Sequence, residues 1–319
     1  MLSIATGLSD LDRRLIQHLQ RDGRASYASL ASELGTTEKI VRSRVLALLS
    51  SGVIDITTVT DPRALGYRYV AMIGVRTVAA AMSDVADRLT NLEGVDYVVS
   101  TMGRYDLFVE VFCRTLKDFK SVIEDGIQAT PGVVEVEPYL YLSLSYQEGA
   151  FEVAHSKTDR GRLSGAARVE LDKVDVGVVN LLNADGRTSF RAIASELSIS
   201  ETQVRRRVAR MQEAGALRIM AITNPMSMGF ETVALTGIVV APPTRTQDVA
   251  EALSKLASVT YVAICAGRFD LWIELVCTDM DEFLQLMDDK IRSIPGVSHL
   301  ESFVYTDLRY RPVPAMVLT

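Results

Sequence analysis

The chain says the same thing twice. Residues 101–113 read "TMGRYDLFVEVFC" and residues 265–277 read "CAGRFDLWIELVC". Sliding the sequence on itself by 163–164 positions aligns far more than this pair. Asp22-Gly23-Arg24 falls on Asp185-Gly186-Arg187, Ala31-Ser32-Glu33-Leu34 on Ala194-Ser195-Glu196-Leu197, and Pro131-Gly132-Val133 on Pro295-Gly296-Val297. A period this long is no solenoid unit; it is the duplication of a whole module. The 319 residues also exceed what one hydrophobic core holds. Residues 147–170, polar and rich in small residues, read as the linker between copies.

The first third of each copy predicts three short helices. Ser9 and Asp12 form a cap pair before the stripe Leu11, Leu15 and Leu19. The second copy has Asp172, Asp175, Val178 and Leu182 in those roles. Ser26 caps the second helix, and Thr36 lies in the tight break after it. Thr37 opens the third helix, with Val41, Val45 and Leu48 inward; in the second copy Ser200 and Gln203 make a capping box. At 100° per residue, Lys39, Arg42 and Ser43 point away from the buried stripe, as do Thr202, Arg205 and Arg206. The β-rich stretch 53–59 follows as a wing. Two helices across a short turn, with an outward-facing basic third helix, predict helix-turn-helix DNA binding. Although the whole chain is at -6, residues 9–60 hold seven basic and six acidic groups and residues 172–223 hold eight and six. Positive charge is gathered where a duplex would lie. Ser26, Thr36, Thr37, Lys39, Arg42, Ser43, Ser189, Ser200, Thr202, Gln203, Arg205 and Arg206 are the expected DNA-facing residues.

The rest of each copy runs strand, helix, strand, strand, helix, strand, the ferredoxin-like βαββαβ order. Residues two apart on a strand share a face. Leu107, Val109, Val111 and Cys113 are wholly apolar and suit the helix-covered side; Phe108, Glu110 and Phe112 face the other way, with Trp272, Glu274 and Val276 in the second copy. A helix-free face with large aromatics needs cover, so the two sheets are expected to pack on each other. Glu110 and Glu274 are expected to pair with Arg or Lys across that interface. The predicted fold is α+β: two winged helix-turn-helix domains at 1–60 and 171–223, and two ferredoxin-like domains at 64–146 and 227–311.

The helix-turn-helix ending in "ALLSSGVI" or "RMQEAGAL", followed by a ferredoxin-like domain with "GRYD" or "GRFD", resembles two Lrp/AsnC-family (feast/famine) transcriptional regulators joined end to end. The resemblance covers nearly all of the chain and names the second domain a RAM domain. It implies pairing through RAM sheets, double-stranded DNA as partner, and a small effector, usually an amino acid, near the Gly-x-aromatic-Asp turn. The candidate effector residues are then Thr101, Met102, Gly103, Arg104, Tyr105 and Asp106, with Cys265, Ala266, Gly267, Arg268, Phe269 and Asp270. An arginine there can pair with a ligand carboxylate and an aspartate can accept from an ammonium. The competing reading is hairpin chemistry, with Arg and Asp paired to each other. Family members carry one copy, so the fusion makes one chain the counterpart of a dimer; two or four chains are expected in the assembly. The tail, 310–319, is a candidate contact.

Two other function classes fit this architecture. Some Lrp-like two-copy chains are siroheme decarboxylases, which the resemblance says use His and Arg. The three histidines here, His18, His155 and His299, do not repeat between copies and none adjoins the Gly-Arg-aromatic-Asp turn. There is no paired Cys/His metal spacing and no phosphate-cradling glycine loop. No enzyme, cofactor or metal is therefore expected. A sensor that does not touch DNA is the third class. Sparse cysteines, no apolar run of membrane length and no signal-like start predict a cytoplasmic protein.

Overall fold

The structure is a computed structural model, and residues 8–60, 66–147, 171–223 and 225–310 are described below. Most of the expected linker, with His155, and the tail beyond residue 310 lie outside the described residues.

Each head has its three helices: α1 (Asp10–Arg21), α2 (Tyr27–Leu34) and α3 (Glu38–Ser50) in the first copy, followed by strand β1 (Ile54–Thr60). The caps are where the side-chain chemistry puts them. Ser9 and Asp12 close a capping box on α1, and Ser26 and Thr37 accept from backbone N–H groups at the starts of α2 and α3.

The first sensor domain follows: β2 (Tyr69–Thr77), α4 (Met82–Thr90), β3 (Val95–Met102), β4 (Leu107–Cys113), α5 (Leu116–Ser121), which runs on as a π-turn to Ile127, and β5 (Val133–Gln147). The second copy repeats the order. Its head is α6 (Lys173–Ala184), α7 (Phe190–Glu196), α8 (Glu201–Glu213) and β6 (Leu217–Thr223). Its sensor domain is β7 (Thr232–Val240), α9 (Thr246–Leu253), β8 (Val259–Ala266), β9 (Leu271–Cys277), α10 (Met280–Gln285) and β10 (Val297–Tyr310).

The strand expected as a wing does not complete its own head. A lone strand leaves its backbone N–H and C=O groups without partners, and here the other copy supplies them. β1 and β6 form a two-stranded antiparallel ribbon in full register, Ile54 opposite Thr223 and Thr60 opposite Leu217. The Asp-Gly-Arg turns lock onto this ribbon crosswise. Gly23 donates to Ile219 O at 2.8 Å and Gly186 to Ile56 O at 2.7 Å. A Cβ on Gly186 would lie 2.8 Å from that same carbonyl oxygen, so only glycine allows the approach. Arg24 reaches the carbonyls of Gly186 and Thr188 and lies over the Phe190 ring; Arg187 reaches Ala25 O and lies over Tyr27.

The sensor sheets meet face to face, as the bare aromatic face requires, and their edges are also zipped. The eight strands close into a barrel, β10-β3-β4-β2-β5-β8-β9-β7. The long last strands make this closure. β5, 15 residues, pairs with β2 along its first half and with β8 along its second. β10 does the same with β7 and β3. Closure removes every sheet edge. Phe108 packs on Trp272 and Phe303 inside, with ring centroids 5.2 and 4.8 Å apart. Separate apolar cores lie under the helices of each sensor domain. Cys113, Cys265 and Cys277 are free and buried, and burial pushes each thiol up to about 12.

Candidate DNA-binding heads and effector turns

α3 and α8 each bury one stripe, Val41, Val45 and Leu48 or Val204, Val208 and Met211. Their opposite faces expose Lys39, Arg42 and Ser43, and Thr202, Arg205 and Arg206. Of the expected DNA-facing residues, Ser26, Thr37, Ser189, Ser200 and Gln203 are exposed but spend their side chains on backbone N–H groups of their own helices. Thr36 is half-buried beside them. Arg205 is held by Glu201 at 2.5 Å and sits 5.1 Å from the Phe190 ring.

Part of the positive charge on these helices is structural. Arg44 pairs with the fully buried Asp12, and both Arg207 and Arg210 reach the buried Asp175, at 2.7 and 2.6 Å. Burial alone would raise the Asp12 carboxyl; hydrogen bonds from Arg44 and Ser9 outweigh it and hold the group below its ordinary value. These ion pairs tie each recognition helix to the first helix of its head. They leave Lys39 and Arg42 on one head and Arg205 and Arg206 on the other as the outward cations.

The two Gly-Arg-aromatic-Asp turns share a frame. Thr101 Oγ1 donates to Tyr105 O at 2.8 Å and Cys265 Sγ to Phe269 O at 3.1 Å. Asp106 accepts from Thr77 N at 2.7 Å and Asp270 from Val240 N at 2.8 Å. The aspartates thus fasten each turn to the neighbouring strand and are not paired with the motif arginines. The aromatic residue points into the barrel, fully buried, over a glycine of β2 or β7. A Cβ on Gly74 would lie 2.8 Å from the Tyr105 ring, and one on Gly237 would lie 2.5 Å from the Phe269 ring. Met102, Gly103, Arg104, Ala266, Gly267 and Arg268 stay exposed.

At this level the copies part. Tyr105 donates to Glu137 and its hydroxyl meets that of Tyr139 at 2.9 Å; Arg268 closes the cluster on Glu137 at 3.0 Å. Burial raises the Glu137 carboxyl, but the two tyrosines and Arg268 prevail and hold it below its usual range; burial and Glu137 push Tyr105 up to about 12. The matching residues of the other copy are Phe269, Glu301 and Phe303, without hydroxyls. Glu137 and Tyr139 were not expected at the turn; the alternation along β5 places them on the inner face, but only closure of the barrel brings them to it.

Glu110 and Glu274 do lie between the sheets, yet among the described residues their bonded partners there are not arginine or lysine. Glu110 accepts from Tyr261 at 2.6 Å, and Glu274 accepts from Tyr97 at 2.8 Å and from Tyr305 at 3.0 Å. A phenol satisfies a buried carboxylate without bringing a second charge out of water.

Comparison with known proteins matches this geometry. The AsnC-type helix-turn-helix domain matches residues 8–49 and 171–212, and the Lrp/AsnC ligand binding domain matches residues 70–151 and 233–310. The chain belongs to the Lrp/AsnC family. It carries both family domains twice, as the repeat implied. An uncharacterised HTH-type transcriptional regulator of Pyrococcus abyssi is 31% identical over 149 residues, which is 46% of this chain and 94% of that protein. Transcriptional regulator Ptr1 of Methanocaldococcus jannaschii is 31% identical over 129 residues, 40% of this chain and 86% of its own length. Each such relative thus matches less than half of this Lrp/AsnC-type transcriptional regulator. The crystal structure of the siroheme decarboxylase NirDL covers 96% of this chain and 94% of its own, with a TM-score of 0.64 and 16% identity, a likeness of fold. Among the described residues no helix is long and apolar enough to cross a membrane.

Proposed function

We propose that one chain acts as the family's dimer does, holding two unlike helix-turn-helix heads on one sequence-specific DNA site under the control of a small effector. The observation that carries this reading is the β1–β6 ribbon. It fixes both heads to each other within a single polypeptide while α3 and α8 expose different residue sets. Identical halves must read a palindrome; unlike halves need not. The effector is an amino acid bound near the Gly-Arg-aromatic-Asp turns. The two turns differ in affinity, because Tyr105 carries a hydroxyl that Phe269 lacks and because Glu137 holds Arg268 of the second turn while Arg104 of the first stays exposed. Such a ligand acts by binding one arrangement of the sensor assembly better than another. Two or four chains form the assembly.

Selection from a random duplex library, with and without amino acids, tests the reading. The expected result is an enriched site of two dissimilar halves, bound with strong salt dependence and shifted by at least one amino acid. Absence of salt-dependent duplex binding would instead favour a sensor acting on other partners. The decarboxylase alternative draws on likeness of fold. His18 sits on α1 paired with Glu33, and His299 sits on β10 in the second sensor domain, so the two stand in different domains.

A further inference from the structure

At the end of the first sensor sheet opposite the Gly103 turn lies a cavity of about 350 Å³, within the size range of small-molecule sites. It is bounded by the start of β3, the end of β4 and α5. Six strand residues separate it from the turn, about 20 Å at the usual rise, so it is distinct from the effector site proposed above.

Its key residue is Asp96. The β3–β4 register shifts between Val95 and Tyr97, which makes Asp96 the bulge residue. A bulge re-aims a side chain, and Asp96 lines the cavity while being only 7% exposed. Its Oδ1 has no hydrogen-bond partner among the described residues. A buried carboxylate oxygen without a donor is costly. Burial, with the nearby Glu110 carboxyl adding to it, pushes the Asp96 carboxyl well above its ordinary range. The remaining lining is acidic and aromatic: Glu93 and Asp118 against the single guanidinium of Arg114, with the rings of Tyr67 and Phe112. Those rings meet edge to face at 6.1 Å, and the Arg114 guanidinium lies 5.6 Å from the Tyr67 ring.

The second copy has lost these features. Asp96 is replaced by Thr260, which donates to Glu274 at 2.6 Å and leaves its bulge satisfied. Glu93, Arg114 and Tyr67 are replaced by Ala257, Thr278 and Phe230. The carboxylate at the Asp118 position is kept: Asp118 accepts from Thr115 N at 3.1 Å and its counterpart Glu282 from Thr278 N and Oγ1 at 2.7 Å.

We propose that this cavity binds a small organic ammonium ion, one per chain, with Asp96 as the counter-ion. The ammonium offsets the unpaired charge of the Asp96 carboxylate, and the acidic rim favours a cation there. The site exists only in the first sensor domain and stands whether or not the chain reads DNA.

Calorimetric titration of the full chain with putrescine and L-lysine, and with glutarate as the anionic counter-probe, tests this. The expected result is saturable binding of at least one amine at one site per chain and none of glutarate. Asp96→Thr copies the residue the second domain already accommodates, so the fold is preserved; it should weaken amine binding at least ten-fold. Asp96→Asn, which keeps the shape but not the charge, should do the same. Failure of both amines to bind, binding unchanged in both variants, or binding of glutarate in their place would each overturn the assignment.

Discussion

The two halves of the barrel share a core and differ at their polar ends. Phe108 and Trp272 occupy matching places and pack on each other, and both remain large aromatics. Around them the halves have diverged. Tyr105, Glu137 and Tyr139 bond to one another where the other half has Phe269, Glu301 and Phe303. Asp96 faces a cavity where Thr260 satisfies Glu274. Lys39 and Ser43 stand where Thr202 and Arg206 do. In a homodimer every change appears twice, so a polar cluster on one side only cannot arise. Joining the copies removes that constraint. What both copies need in common, the interdigitated interior, stays alike; what each copy presents to solvent or ligand is free to change.

The largest effect should come from breaking the shared part. Trp272→Ala removes the ring that meets Phe108, Tyr139 and Phe269 within 5.2 Å. It should cost about 3–5 kcal/mol in denaturant unfolding. Both sensor sheets should lose structure in one transition; two separated transitions would mean that the halves do not share a core.

The next test concerns Glu110, which is buried where its counterpart Glu274 is only half-buried. Burial pushes the Glu110 carboxyl up to about 7, with Tyr261 opposing and Glu274 adding to the rise. A carboxyl whose pKa is raised in the fold binds protons more tightly there than in the unfolded chain. Its contribution is therefore fully present below about 4.5 and lost as pH rises toward 7. Glu110→Gln should remove this dependence. The stability difference between variant and wild type should grow from pH 4.5 to 7 and then level off. A difference that stays constant with pH would show that Glu110 titrates normally.

Much of this was legible in the residues. The repeat gave the architecture. The cap pairs Ser9–Asp12 and Ser200–Gln203 marked helix starts correctly, and strand alternation placed Phe108 and Trp272 on the buried inner face. Pattern tells which way a side chain faces and not what it meets. The exchange of β1 and β6, the zipping of β5 to β8, and the tyrosine partners of Glu110 and Glu274 all depend on contacts between copies, which no local period encodes. The same limit hid the ties from Asp12 to Arg44 and from Asp175 to Arg207 and Arg210. The replacement of Asp96 by Thr260 was visible in the aligned repeat, but its meaning needed the cavity.

A smaller effect should follow from erasing the polar end. Tyr105→Phe with Tyr139→Phe makes the first half resemble the second and strips Glu137 of two neighbouring hydroxyls. Stability should fall by about 1–2 kcal/mol, measured by chemical unfolding. If the turns bind effector unequally because of this cluster, titration of the variant should show the two sites drawn closer in affinity.

The central claim is that one chain holds two unlike heads. Its most direct test is to make them alike. Lys39→Thr with Ser43→Arg gives α3 the outward set that α8 carries in Thr202, Arg205 and Arg206. Selection from a random duplex library should return a site of two dissimilar halves for the wild type and a near-palindrome for the variant. A palindrome selected by the wild type, or a site unmoved by the exchange, would contradict the account.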